Sequence, residues 1–181
     1  MNNIPRGDLK NLIIAWAVVL CGNGVAWAAT QYGAGGFTWD NGLTAVWGSL
    51  SGGPYNAAWT NGNDAVFEGT AGTVDIDAAG VTAQSLTFNA AGFTVQSNTL
   101  TLSGSPVITA NADATISANV AGTAGITKAG SASLTLLGTN TYAGSTSVSA
   151  GMLQIGNGTV NPSLNAATYT IGANSTLYLY S

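Results

Sequence analysis

The sequence predicts an all-β protein, a right-handed parallel β-helix (solenoid) with an aromatic N-terminal cap, and three observations carry this prediction. From Leu86 onward, apolar residues recur at every second position in short bursts, such as Leu86 with Phe88 and Leu134 with Leu136, which is typical of strands with one buried face. Gly, Asn or Ser bounds nearly every burst, and these residues favour turns. Similar units, namely SLTFN, TLTLSG and SLTLLG, recur along the chain, as they do in stacked repeats.

The alternation also predicts which side chains face the core, because every second residue of a strand lies on the same face. The predicted inward residues are Leu86, Phe88, Phe93, Val95, Leu100, Leu102, Ile116, Ile126, Leu134, Leu136, Val148, Leu153 and Ile155. An antiparallel sandwich is the alternative, since Asn41-Gly42, Asn61-Gly62 and Asn157-Gly158 could form two-residue hairpin turns. The recurrence of similar units favours the β-helix.

The first 28 residues have the three-part pattern of a targeting segment. Arg6 and Lys10 precede an apolar run, Leu12–Leu20, and Ala26-Trp27-Ala28 follows as a small-x-small cleavage site. The run is shorter than the roughly 20 residues that span a bilayer. We therefore interpret residues 1–28 as a signal peptide and expect a protein that is secreted or displayed at the cell surface, with no membrane insertion after cleavage.

The composition excludes several classes of function. Only 6 % of residues are charged and the formal net charge is −4. After residue 28, Lys128 is the sole cationic side chain, and there is no Arg, His or Cys. Nucleic-acid binding is not expected because it needs a basic surface. General acid–base and nucleophilic groups are also too few for an enzyme, so we predict no catalytic, cofactor-binding or metal-binding residues and no cofactor.

The region before the repeats is rich in large aromatic residues. Residues 29–68 include Trp39, Trp47 and Trp59, and we interpret this region as an N-terminal cap, because an uncovered end would expose the core and a strand edge. Residues 69–181 are then predicted as the β-helix. The alternative is an aromatic platform in which Trp39, Trp47 and Trp59 bind a surface glycan or a protein ligand.

Two neighbouring carboxylates are candidates for metal binding or acid/base chemistry. Asp75 and Asp77 lie two residues apart and hence on one strand face. They could bind Ca²⁺ or form the acid/base pair of a glycoside hydrolase. The favoured interpretation is an outward polar face, with Val74 and Ile76 facing the core.

One stretch carries a family resemblance. Gly125–Gly156 reads GITKAGSASLTLLGTNTYAGSTSVSAGMLQIG and resembles the passenger-associated transport repeat of bacterial autotransporters. The matching positions are Gly125, Thr127, Lys128, Gly130, Leu134, Thr135, Leu136, Gly138, Asn140, Thr141, Tyr142, Gly144, Thr146, Val148, Ala150, Gly151, Leu153 and Gly156. Leu137 and Met152 depart from the pattern and are expected to point outward or lie in turns. The stretch from Trp39 to Gly104 is similar to the leader that precedes such repeats.

The resemblance implies a non-catalytic, β-helical stalk that assists passenger export and presentation. Its implied partners are the secretion machinery and an outer-membrane barrel. The alternatives are a carbohydrate-binding or adhesin module and, with less support, a polysaccharide lyase or hydrolase. A lyase or hydrolase needs general acid–base groups, and the chain after residue 28 has a single Lys and no Arg or His. The last residues, Tyr178–Ser181, end a strand pattern without a polar cap, and we expect the stack to continue beyond this chain.

Overall fold

The computed structural model describes residues 28–160 and 168–180, which form 18 β-strands and no helix. Within this part of the chain there is accordingly no helix long and apolar enough to cross a membrane. The predicted signal peptide, residues 1–28, lies outside the described residues except for Ala28. The strands are β1 (Thr30–Gly33), β2 (Phe37–Trp39), β3 (Ala45–Gly48), β4 (Ala57–Ala58), β5 (Asn63–Phe67), β6 (Thr73–Ile76), β7 (Val81–Phe88), β8 (Phe93–Ser97), β9 (Thr99–Leu102), β10 (Val107–Ala110), β11 (Ala114–Ile116), β12 (Asn119–Gly122), β13 (Ile126–Ala129), β14 (Ser133–Leu136), β15 (Thr146–Val148), β16 (Gly151–Ile155), β17 (Tyr169–Ile171) and β18 (Ser175–Leu179).

The strands alternate between two parallel ladders, and each ladder runs in chain order. The first sheet stacks β1, β5, β7, β10, β13, β15 and β17, and the second stacks β2, β6, β8, β11, β14, β16 and β18. A short parallel ladder at a third side joins β7, β9 and β12. One strand from each sheet forms one turn of the stack, which we term a rung. This topology is a parallel β-solenoid and confirms the fold class expected from the sequence.

The core of the solenoid is filled by the residues that the alternation predicted. Each of the predicted inward side chains is buried, with at most 2 % of its surface exposed. They align from rung to rung, as Leu134 does with Ala114 above it and Leu153 below it. Burying a large aliphatic side chain is worth about 1.5–3 kcal/mol, so this column of contacts holds the rungs together.

The N-terminal end is closed by a short antiparallel insertion. Strand β3 pairs antiparallel with β1 and with β4, and these are the antiparallel pairs among the described strands. The alternative of an antiparallel sandwich is therefore wrong, and antiparallel pairing among the described strands is confined to this end. Strands β1, β2 and β5 lie inside the predicted cap, residues 29–68, yet β1 and β2 pair in parallel with β5 and β6. The stack thus begins at Thr30, and the insertion covers its first rung.

Aromatic rings fill the space under this insertion. The ring centroids of Trp39, Trp47 and Trp59 lie 4.8 to 5.1 Å from one another. Phe67 packs at 5.6 Å against both Trp39 and Trp47 and stacks on Phe88 of the next rung at 4.8 Å. The aromatic cluster is therefore continuous with the aliphatic core of the solenoid.

Candidate functional site

Four polar residues of the family pattern lie inside the solenoid. Lys128, Asn140, Tyr142 and Thr146 are each at most 2 % exposed, in a core that is otherwise built largely from apolar side chains. Lys128 occupies an inward position of β13, in register with Ile108 of β10 and Val148 of β15. These four side chains form the candidate site, which we term the polar interior of the repeat.

The ammonium group of Lys128 connects two rungs. Its Nζ donates hydrogen bonds to the carbonyl oxygens of Gly130, at 2.8 Å, and Ala150, at 2.9 Å. Gly130 follows β13 in the same rung, whereas Ala150 follows β15 in the next rung. In the reverse direction, the backbone N–H and the hydroxyl of Ser149 donate to the Lys128 carbonyl. Burial lowers the pKa of Lys128 to about 8, and the negative charge of Asp113 opposes part of that shift.

Tyr142 and Thr146 share a second buried contact. Their hydroxyl oxygens lie 2.7 Å apart and form one hydrogen bond within the core. Burial raises the pKa of Tyr142 above its ordinary value, although the hydrogen bond with Thr146 opposes the shift. The phenol therefore stays neutral and acts as a structural group.

Asn140 differs from its neighbours in the polar interior. Neither of its side-chain amide atoms has a hydrogen-bond partner within residues 28–160 and 168–180. An unpaired buried amide costs about 1–3 kcal/mol. The polar interior is thus satisfied at Lys128, Tyr142 and Thr146 but not at Asn140.

Lys128 makes the stability of the fold pH-dependent. A lysine of the unfolded chain titrates near 10.5 and folded Lys128 near 8, so between these values the unfolded chain binds more protons and stability rises with pH. We expect the free energy of unfolding to increase by up to about 2 kcal/mol from about pH 7 to about pH 9.5. The described residues have no His or Cys, and tyrosines, with an ordinary pKa near 10, begin to ionise only at the upper end of this window.

Urea unfolding at a series of pH values measures this effect. The Lys128→Met variant keeps the length and the apolar stem of the side chain but has no titrating group, so its stability should be nearly constant across the same window. An equal rise with pH in the variant and the parent would contradict the assignment to Lys128.

The three tryptophans predicted as cap or ligand platform lie in the core. Trp39 and Trp47 have no exposed surface and Trp59 has 1 %. A carbohydrate platform needs an indole face open to solvent, and in this structure none of the three offers one. Their position corrects the platform alternative and agrees with a covering role, since large aromatic side chains gain most from burial.

The two carboxylates Asp75 and Asp77 point away from the core, as Val74 and Ile76 are buried. Asp75 accepts hydrogen bonds from the side chains of Gln96 and Ser97 on the next rung, and these bonds lower its pKa. Asp77 accepts the N–H of Ala79. Each carboxylate has its own local partner, and the described residues contain no group of three or more His, Cys, Asp or Glu placed to hold a metal ion.

The fold and its polar interior define a class of protein, a parallel β-solenoid in which the distinctive polar side chains are buried and, apart from Asn140, bond to neighbouring parts of the stack. Residues 126–155 match the family model described as the passenger-associated-transport-repeat, and this match runs from the start of β13 to the end of β16. The resemblance predicted from the sequence is confirmed. No curated protein and no solved structure matches the chain. A β-solenoid that contains this repeat fits an autotransporter passenger segment.

Sequence reasoning found Lys128, Asn140, Tyr142 and Thr146 as family positions but did not place them in the core. The signal was present for Lys128, because it lies two residues after Ile126 and hence in the inward phase of the strand. A charged side chain is nevertheless an unusual core residue, since lysines are rarely fully buried without partners.

Proposed function

We propose that this chain is a secreted or surface-displayed segment of an autotransporter-type passenger, a non-catalytic stalk that assists export and presentation. The observation that carries the proposal is the coincidence of the matched repeat, residues 126–155, with two whole rungs of the solenoid. Its partners would be the secretion machinery and an outer-membrane barrel.

The inter-rung contacts support a part in export. Each rung of a solenoid contacts its neighbours, so folding can spread from one rung to the next. Lys128 needs Ala150 of the following rung as its second acceptor, and a rung with an unpaired buried ammonium is unfavourable. Addition of each rung would therefore stabilise the rung before it. Folding outside the membrane would then favour outward movement of the chain across it.

The placement of charge supports a non-catalytic stalk over a lyase or hydrolase. Lys128, the sole Lys or Arg among the described residues, has no exposed surface, so a substrate cannot reach its amine. General acid–base catalysis requires a group within hydrogen-bond reach of the substrate.

Removal of one rung of the repeat in the native gene tests this function. Thr135 and Gln154 occupy equivalent register positions, so deletion of residues 135–153 joins Leu134 to Gln154 and removes a rung while keeping the ladder continuous. We expect several-fold less of the protein at the cell surface, measured by antibody labelling of intact cells, because Asn140, Tyr142 and Thr146 are lost.

The matched control removes a rung outside the repeat. Thr94 and Thr115 are also equivalent in register, so deletion of residues 94–114 joins Phe93 to Thr115 and shortens the stack by a similar length. This variant should be displayed better than the first. Equal display of the two variants, with both folded by circular dichroism, would contradict a specific part for the repeat in export.

A further inference from the structure

A polar groove lies on the outer face of the second sheet, away from the polar interior of the repeat. It has a volume of about 270 Å³ and spans three successive rungs. Its polar lining, which we term the hydroxyl groove, consists of Thr94, Thr115, Thr135, Ser133 and Asp113. Small-molecule sites begin at about this volume, and the groove is therefore large enough for one small ligand.

Three hydroxyls form a column along the groove. Thr94 of β8, Thr115 of β11 and Thr135 of β14 are paired in direct register, and neighbouring parallel strands lie about 4.8 Å apart. All three side chains are half-buried. None of the three hydroxyls forms a hydrogen bond to another described residue, so each is free to donate and to accept.

Asp113 stands at the edge of this column. Its Oδ1 accepts the backbone N–H of Ser133 at 2.8 Å, which orients the carboxylate, and its other oxygen remains an acceptor. A carboxylate next to free hydroxyls is suited to a ligand that carries several adjacent hydroxyl groups, because a carboxylate accepts from O–H donors and a hydroxyl serves either role.

The charge of the groove selects against acidic ligands. Asp113 is the charged residue of its lining, and the sole cation of the described chain, Lys128, is buried. An anionic ligand such as a uronate would meet the like charge of Asp113, and the buried ammonium of Lys128 cannot contact it.

We propose that the hydroxyl groove binds a neutral saccharide, with the hydroxyls of Thr94, Thr115 and Thr135 and the carboxylate of Asp113 as its hydrogen-bonding groups. No exposed aromatic face lies in the lining, so hydrogen bonds carry the affinity and a dissociation constant on the order of 1 mM is expected. This site is independent of the proposed role in export.

Chemical-shift mapping on the purified, ¹⁵N-labelled chain tests the site. Maltohexaose, cellohexaose and mannohexaose are the probes, and a polygalacturonate oligomer is the acidic comparison. We expect at least one neutral probe to shift the amides of β8, β11 and β14, and the acidic oligomer to leave them unchanged. The double variant Thr115→Val and Thr135→Val should weaken binding about tenfold, since two hydrogen bonds are lost.

The first sheet offers a matched control. Thr87 and Thr109 are adjacent in register on β7 and β10 and are also half-buried and outward, so Thr87→Val with Thr109→Val makes the same chemical change away from the groove. This pair should leave binding unchanged. The proposal is overturned if no neutral probe shifts the groove amides at millimolar concentration, if the shifts map elsewhere, or if the two double variants weaken binding equally.

Discussion

The Trp47→Ala variant is expected to lose about 3–5 kcal/mol of the free energy of unfolding, the range for removal of a buried indole. Trp47 has no exposed surface and lies at the centre of the cluster, with ring contacts to Phe37, Trp39, Trp59 and Phe67. Its removal would leave a cavity directly above the first rung, and the surrounding rings can refill it only in part.

Urea unfolding followed by two probes measures this loss. Tryptophan fluorescence reports on the cap, through Trp39 and Trp59, and circular dichroism reports on the whole stack. The Leu43→Ala variant is the control, because Leu43 belongs to the same end of the molecule but is 83 % exposed, and its effect should be within about 0.5 kcal/mol. A Trp47→Ala effect as small as that of the control would contradict a core role for the cluster.

The Gly144→Val variant is expected to lose at least about 3 kcal/mol, the upper end of the usual cost of overpacking. Gly144 lies against the backbone of the previous rung. A Cβ at this position would overlap the amide nitrogen of Gly125 and lie 2.6 Å from its Cα. Since the obstacle is backbone, relief would require the two rungs to separate.

The neighbouring Ala143→Val variant is the control for Gly144→Val. Ala143 is exposed, so the same side chain introduced one residue earlier meets solvent and should change stability little. Thermal and urea unfolding of the two variants would measure the difference. Similar free energies of unfolding for the two variants would contradict a close approach of Gly144 to the Gly125 backbone.

The solenoid could be predicted from the sequence because its signal is local. Alternation within a strand requires information from only a few residues, and every inward position inferred from it, from Leu86 to Ile155, is buried. The repeat was recognisable for a similar reason, since its glycines and Lys128, Asn140 and Tyr142 stand at the spacing of the family pattern. The fold of the first rung was less accessible, because the insertion of β3 and β4 separates β2 from β5.

The candidate site required the tertiary structure for a different reason. Ala150, which accepts a hydrogen bond from Lys128, lies 22 residues further along the chain, and no local pattern connects the two. The hydroxyl groove likewise combines residues of three rungs. Without the register between rungs, Thr94, Thr115 and Thr135 are three unrelated threonines.

The sequence by itself determined that this protein is a β-solenoid with a transport-associated repeat, since strand alternation and turn residues are encoded position by position. Only the tertiary structure decided that the tryptophans are buried, that Lys128 points inward, and that one column of threonines lines a groove. These features depend on the number of residues in each turn between strands, because the turns set the register in which one rung lies on the next.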